Sequence, residues 1–177
     1  MANLKTPITQ HDHVQGDESA PLTLLEYGDF ECPHCGRAHP IVKALQERFG
    51  ERLRFVYRHF PLTQMHPHAE GAAEAAEFAG AHKKFWEMHD LLFENQDQLG
   101  LPLYQELAGT LGLSVSALIA ALKEGKFTAK VRSDFSGGVR SGVNGTPTFF
   151  INGVRYDGPV DVISMSEALA YVLEQAA

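Results

Sequence analysis

The chain has 177 residues, 44% of them hydrophobic, a formal net charge of −7 and two cysteines. That length holds one domain, or one domain carrying an insertion, with enough apolar content for a real core. Acids and bases are interspersed with no basic stripe, which excludes a nucleic-acid-binding footprint. No apolar run nears the ~18 residues of a membrane span, and two cysteines cannot staple a chain this long.

Met1 to Asp12 lacks an apolar stretch behind a basic start, so no signal peptide is read and a cytoplasmic protein is expected. A mature form trimmed from a longer precursor would instead be periplasmic or secreted. Residues 1 to 21 are polar, with Pro7, Gly16 and Pro21, and Thr9 to Val14 is read as a short edge strand. Leu22 to Tyr27, bounded by Pro21 and Gly28, is mostly apolar and reads as a buried strand. Glu26 interrupts that run. A carboxylate there is costly unless paired or protonated; the other reading is a strand end that points to solvent.

Cys32-Pro33-His34-Cys35 follows, and these are the only cysteines. Pro33 suits the first turn of a helix. Ile41, Leu45 and Phe49 recur at i, i+4 and i+8, giving that helix a buried stripe that ends at Gly50. Leu53 to Tyr57 alternates, is rich in aromatics, and reads as the next strand. Strand, helix and strand make a βαβ unit with a parallel pair and a right-handed crossover. A cysteine pair at this spacing, between a strand and a helix, is a strong signal for a redox dithiol.

From His66 to about Lys126 the pattern is helical. Ala69, Ala72, Ala73, Ala76 and Ala79 form one stripe, and Phe85, Met88, His89, Leu92 and Phe93 form another. Pro102 opens a third helix. Ser114 caps a fourth, with Val115, Leu118, Ile119 and Leu122 inward and Gly125 at its stop. A further helix runs from Phe127 to about Arg140. Thr148 to Ile151, then Asn152-Gly153, then Val154 to Tyr156 spell a hairpin, because Asn-Gly suits a turn whose two residues both need φ > 0. A last helix spans about Val162 to Gln175, with Met165, Leu169, Val172 and Leu173 on its buried side.

Three stretches carry a resemblance: Leu24 to Cys35, Tyr57-Arg58-His59-Phe60-Pro61-Leu62, and Gly145 to Gly153. With this order of elements the chain resembles the DsbA family of thiol-disulfide oxidoreductases. The resemblance implies an α/β thioredoxin fold, residues 1–63 and 127–177, with an all-helical subdomain inserted at 64–126. It implies that Glu26 is the buried acid beneath the dithiol, which helps move the proton of the resolving cysteine. It also implies a cis bond between Thr146 and Pro147, set against the dithiol. Thr146 then offers its backbone N–H and C=O to an extended substrate segment, as strand addition does, with its hydroxyl in reach of the sulfurs.

Cys32, at the helix N-terminus, is expected to be the attacking thiolate, favoured by unpaired N–H groups and the dipole. Cys35, one turn in, is expected to resolve the mixed disulfide. The His34 ring is expected to stabilise the thiolate further and so make the disulfide more oxidising, unless Glu31 lies close and opposes it. The remaining histidines read as solvated or packed rather than as metal pairs His11/His13 or His66/His68. Arg58 and His59 either shape the active-site edge or simply end a strand.

The expected function is thiol-disulfide exchange with no cofactor and no metal, on protein or small-molecule thiols and disulfides, with a redox partner not identified by the sequence. Oxidase, reductase and isomerase are all open. The rivals are a glutathione-dependent transferase or isomerase on the same fold, whose members generally lack the second cysteine, and a metal-binding or interaction module using Cys32 and Cys35.

Overall fold

The computed structural model describes residues 2–177. Its elements are β1 (His13–Gln15), β2 (Leu22–Gly28), α1 (Pro33–Phe49), β3 (Leu53–His59), α2 (Ala69–Ala81), α3 (Phe85–Glu94), α4 (Leu101–Thr110), α5 (Val115–Glu124), α6 (Thr128–Arg140), β4 (Thr148–Ile151), β5 (Val154–Tyr156) and α7 (Val162–Gln175). The strands form one sheet in the order β1-β3-β2-β4-β5. β2 and β3 are parallel, joined through α1, and every other pairing is antiparallel. This is the thioredoxin fold with helices α2 to α5 interposed between β3 and α6.

Period-2 alternation divides the sheet side chains between two cores. Leu22, Leu24, Phe55, Tyr57, Phe149 and Ile151 join α1, α7 and the buried faces of α2 to α5 in one continuous cluster. The interposed helices therefore share the sheet's core rather than holding one of their own. Leu25, Tyr27, Val56, Phe60, Val143 and Phe150 form the second cluster, on the opposite face.

The alanine stripe of α2 and the aromatic stripe of α3 are buried as the spacing predicts. Other stripes shift. The seam of α1 is Cys35, Ala38, Val42, Leu45 and Phe49, which advances by three and four in turn. Ile41 sits beside that seam and is only half-buried. In α5, Leu118 and Ala121 are buried and Val115 and Leu122 pack against the core as expected, while Ile119 is exposed. The edge strand is shorter than Thr9 to Val14. Asp12 closes a turn by accepting from the Thr9 N–H at 2.8 Å, so pairing starts only at His13.

Arg58 explains that turn. Its guanidinium holds Asp12 through two bonds of 2.7 and 2.9 Å, and also donates to Tyr27 Oη and to the carbonyls of Thr6 and Pro7, all at 2.9 Å. Both side chains of the ion pair are about 95% buried. Arg58 thus fastens the N-terminal segment to the sheet on the face away from the dithiol. Removing one partner of such a pair costs roughly 3–5 kcal/mol, because it strands the other charge.

At the hairpin, Asn152 and Gly153 have φ of 46° and 83°, as a two-residue turn of this kind requires. Asn152 Oδ1 also accepts from the Thr23 N–H at 2.7 Å, tying the turn to the start of β2.

Candidate active site

The dithiol hangs on the loop that leaves β2. Gly28 ends that strand under the Tyr57 ring; a Cβ there would sit 2.6 Å from Tyr57 Oη, so only glycine fits. Phe30 is buried against Tyr57 and Phe93, with ring centroids 5.3 and 4.8 Å apart, which anchors the loop to β3 and α3. Gln96, in the turn after α3, donates to the carbonyls of Phe30 and Cys32, both at 2.8 Å. The interposed helices therefore grip the loop directly.

Cys32 is the N-cap of α1, with extended backbone, so its sulfur lies where helix N–H groups have no intrahelical partner. Its thiol is lowered from 9.0 to about 5, chiefly by the Cys35 thiol that hydrogen-bonds it, against burial, with further help from Thr146 and the N–H groups of Cys35 and His34. Cys35 is fully buried. Burial first, then the Cys32 sulfur and the Glu26 charge, push its thiol well above 9.0. Both thiols are free.

The Thr146–Pro147 bond is cis, and the Thr146 carbonyl lies 3.5 Å from Cys32 Sγ. Thr146 Oγ1 is buried and makes no hydrogen bond of good geometry to another group, but it faces the Cys32 sulfur and contributes to lowering that thiol. Beside this turn opens a cleft of about 370 Å³ lined by His34, Arg37, Ala38, Ile41, Thr146, Pro147 and Val160. Pro33 occupies the first turn of α1 and is exposed.

Glu26 is 3% exposed and its Oε1 has no hydrogen-bond partner. It points inward, not to solvent. Burial, and secondarily the Cys32 charge, raise its carboxyl from 4.5 to about 8. A buried acid that is neutral at neutral pH can accept a proton once ionised. Replacing it with an isosteric amide removes that capacity. Glu26→Gln is therefore expected to slow resolution of a mixed disulfide by roughly 10- to 100-fold. The wild-type rate should rise with pH through the Glu26 ionisation, which in the adduct lies below about 8 because the Cys32 sulfur carries no charge there, and the variant should lose that inflection. Stopped-flow resolution of a preformed glutathione adduct measures both; an inflection kept by the variant would exclude Glu26.

The His34 ring does not lie on the sulfur. It is exposed, and its Nδ1 accepts from Arg37 Nη2 at 2.6 Å; His34 serves Cys32 through its backbone N–H. Glu31 turns away as well, accepting from the His68 N–H at 2.6 Å. The paired histidines separate. His66 bonds Asp29, while His13 and His59 both donate to the buried Glu77, at 2.8 and 2.9 Å. Burial raises that carboxyl, and the two imidazoles outweigh it and hold it well below the usual range. One donor atom each of His13, His59 and Glu77 lie within 4.8 Å of one another, as do donors of His39, His89 and Asp90. Among the described residues no helix is long and apolar enough to cross a membrane.

The sequence assigns no role to Asp29 or Gln96, and His66, read there as solvated or packed, instead bonds Asp29. Asp29 stands three residues before Cys32, a spacing typical of a side chain that serves helix-start N–H groups. Nothing local marks the other two.

A family model described as Thioredoxin matches residues 8–170. The chain belongs to the thioredoxin family. Among solved structures it is similar to oxidised BdbD from Bacillus subtilis, with a TM-score of 0.88, 23% identity and 98% of each chain covered. It is also similar to α-DsbA1 of Wolbachia pipientis, with a TM-score of 0.84, 22% identity, and 98% of this chain and 96% of that one covered. A thioredoxin-like oxidoreductase from Silicibacter pomeroyi DSS-3 aligns at a TM-score of 0.83 and 25% identity over 96% and 95% of the two chains. The curated relatives are longer. Na(+)/H(+) antiporter NhaA 1 of Salinispora arenicola is 43% identical over 170 residues, covering 96% of this chain but 26% of the antiporter. The chain thus spans about a quarter of the length of the curated relatives it matches.

Proposed function

We propose that the protein is a thiol-disulfide oxidoreductase that works as a dithiol oxidant. The observation that carries this is the asymmetry of two adjacent sulfurs. Cys32 ionises at about 5, whereas the buried Cys35 is pushed well above 9.0. A stabilised thiolate favours the reduced form and so makes the disulfide a strong oxidant.

A substrate thiolate attacks Cys32 Sγ, the Cys32–Cys35 bond breaks, and a mixed disulfide forms. A second substrate thiolate attacks its own sulfur in that bond, and Cys32 leaves as a thiolate. In the reverse sense Cys35 is the resolving nucleophile, and Glu26 accepts its proton. The cis Thr146–Pro147 turn and the cleft beside it receive the substrate chain. Protein disulfides and small thiol adducts fit this chemistry equally. The glutathione-transferase reading is less favoured, because Cys35 is present and packed against Cys32.

The experiment is equilibration of the dithiol against a glutathione buffer. The expected result is a potential on the oxidising side of glutaredoxin, above about −200 mV. A potential near the thioredoxin value of about −270 mV would make the protein a reductant and overturn the proposed direction. Bound zinc in purified protein, lost together with either cysteine, would favour the metal-binding rival.

A further inference from the structure

The cycle above gives no task to an ionisable pair beside the dithiol loop, the buried Asp29 on that loop and the part-buried His66 on the segment between β3 and α2. Asp29 is 1% exposed. Its Oδ1 accepts from the backbone N–H groups of Glu31 and Cys32, at 2.8 and 3.2 Å. Its Oδ2 accepts from the Leu62 N–H at 2.9 Å and from His66 Nδ1 at 2.8 Å. One carboxylate therefore binds the amide of the nucleophile, the chain that leaves β3, and an imidazole. The three amides alone would fix the loop. The imidazole adds a group that titrates.

We infer that His66, seated on Asp29, is a positioning residue that takes up a proton when the disulfide is reduced, so that the Cys32 thiolate forms beside a cation. This rests on the reading of Cys32 as the thiolate nucleophile. The charged groups facing His66 are Asp29, Cys32 and Glu31, all from the loop between β2 and α1. Tyr104 of α4 bonds the carbonyl of His68 nearby and is held neutral, its hydroxyl raised by burial. Burial lowers the pKa of His66, but the Asp29 bond and the three negative charges outweigh it. The Cys32 charge exists only in the reduced protein. His66 therefore binds its proton more tightly after reduction than before.

The exchange balances without outside reagents. Two S–H bonds of a substrate dithiol break and its S–S bond forms. The Cys32–Cys35 bond takes the two electrons and breaks. One released proton goes to the Cys35 sulfur and the other to the His66 ring. Cys32 leaves as a thiolate, and the net charge of the site is unchanged.

The test is a pair of substitutions in the full chain. His66→Asn places an amide nitrogen where Nδ1 stood, so it keeps the Asp29 bond without a charge. His66→Lys keeps a cation that does not titrate near neutrality. Thiolate absorbance gives the Cys32 pKa, and glutathione equilibration across a pH series gives the potential. In His66→Asn the Cys32 pKa should rise, and the glutathione equilibrium should shift toward the disulfide by roughly three- to tenfold in mildly acidic buffer. That gap should close as the buffer turns alkaline, where wild-type His66 is neutral too. His66→Lys should stay near wild type in acid and hold its advantage into alkali. A His66→Asn protein equal to wild type at every pH overturns the inference, and so does a shift of the same size at every pH, which would mark lost geometry rather than lost charge. A wild-type Cys32 that titrates like a free thiol and exchanges nothing would overturn the functional reading itself, and is told apart by the wild-type curves alone.

Discussion

A Cys35→Ser protein will accumulate mixed disulfides through Cys32, and a Cys32→Ser protein will form none. The two sulfurs differ in ways that leave no symmetry between them. With a thiol lowered to about 5, Cys32 is roughly 99% thiolate at neutral pH. Cys32 is 4% exposed, and its sulfur adjoins the carbonyl of Thr146, which lines the cleft. Cys35 is fully buried and its thiol is raised, so as a lone cysteine it offers neither an accessible sulfur nor a thiolate. The serine hydroxyl can still donate to the Cys32 sulfur in place of the Cys35 thiol, so Cys35→Ser keeps capture and loses resolution. Dithiol turnover should fall by more than about a thousandfold in both variants, yet only Cys35→Ser should show adducts on non-reducing gels and by mass. Equal trapping by the two variants would mean that the burial of Cys35 is not maintained in solution and that either sulfur can attack.

The parts of this site that could be read in the sequence are those written in neighbouring residues. Cys32 to Cys35 between a strand and a helix, the Thr146-Pro147 step and the Asn152-Gly153 turn each carry their geometry within a few positions. The stripes of α2 and α3 were legible for the same reason, since helical spacing is local. What was not legible depends on partners far apart in the chain. Glu26 was marked as anomalous within its strand, but only packing shows that its Oε1 has no partner. Gln96 reaches the Cys32 carbonyl across 64 positions, and His66 reaches Asp29 across 37. No periodicity encodes such reach. His34 shows the converse. Its place between the cysteines suggested a ring on the sulfur, yet Arg37, one turn along α1, draws that ring outward. The edge strand fell short because Asp12 was taken by Arg58, a pairing over 46 positions that a local β pattern does not register.

The reduced protein will be more stable than the oxidised one from neutral to mildly alkaline pH, contrary to the usual effect of a disulfide. The bond closes a loop of only four residues, Cys32 to Cys35, so cross-linking the unfolded chain is worth only about 2 kcal/mol. Against it stands the thiolate. The Cys32 pKa drops from 9.0 to about 5 on folding, which amounts to at most ~5 kcal/mol. A folded pKa below the unfolded one stabilises fully above the unfolded value, and the gain is lost as pH falls through the folded value. The gain shrinks by about 1.4 kcal/mol per pH unit below the unfolded value, so it drops beneath the ~2 kcal/mol of the cross-link roughly one and a half units above the folded pKa of about 5, and the oxidised form prevails in more acid buffer. Two groups limit the gain at the other end. Glu26 is raised mainly by burial in both redox forms, but the Cys32 charge raises it further only in the reduced one, which trims the gain as pH approaches 8. Cys35, raised well above 9.0, stays protonated when the unfolded thiol ionises, which costs the reduced form stability above that pH. The gap should climb from acid, crest near pH 9 and then decline. Urea unfolding of both redox forms across that range measures it. An oxidised form more stable at every pH by a constant margin would show that Cys32 is an ordinary thiol, and would remove the basis for reading the dithiol as an oxidant.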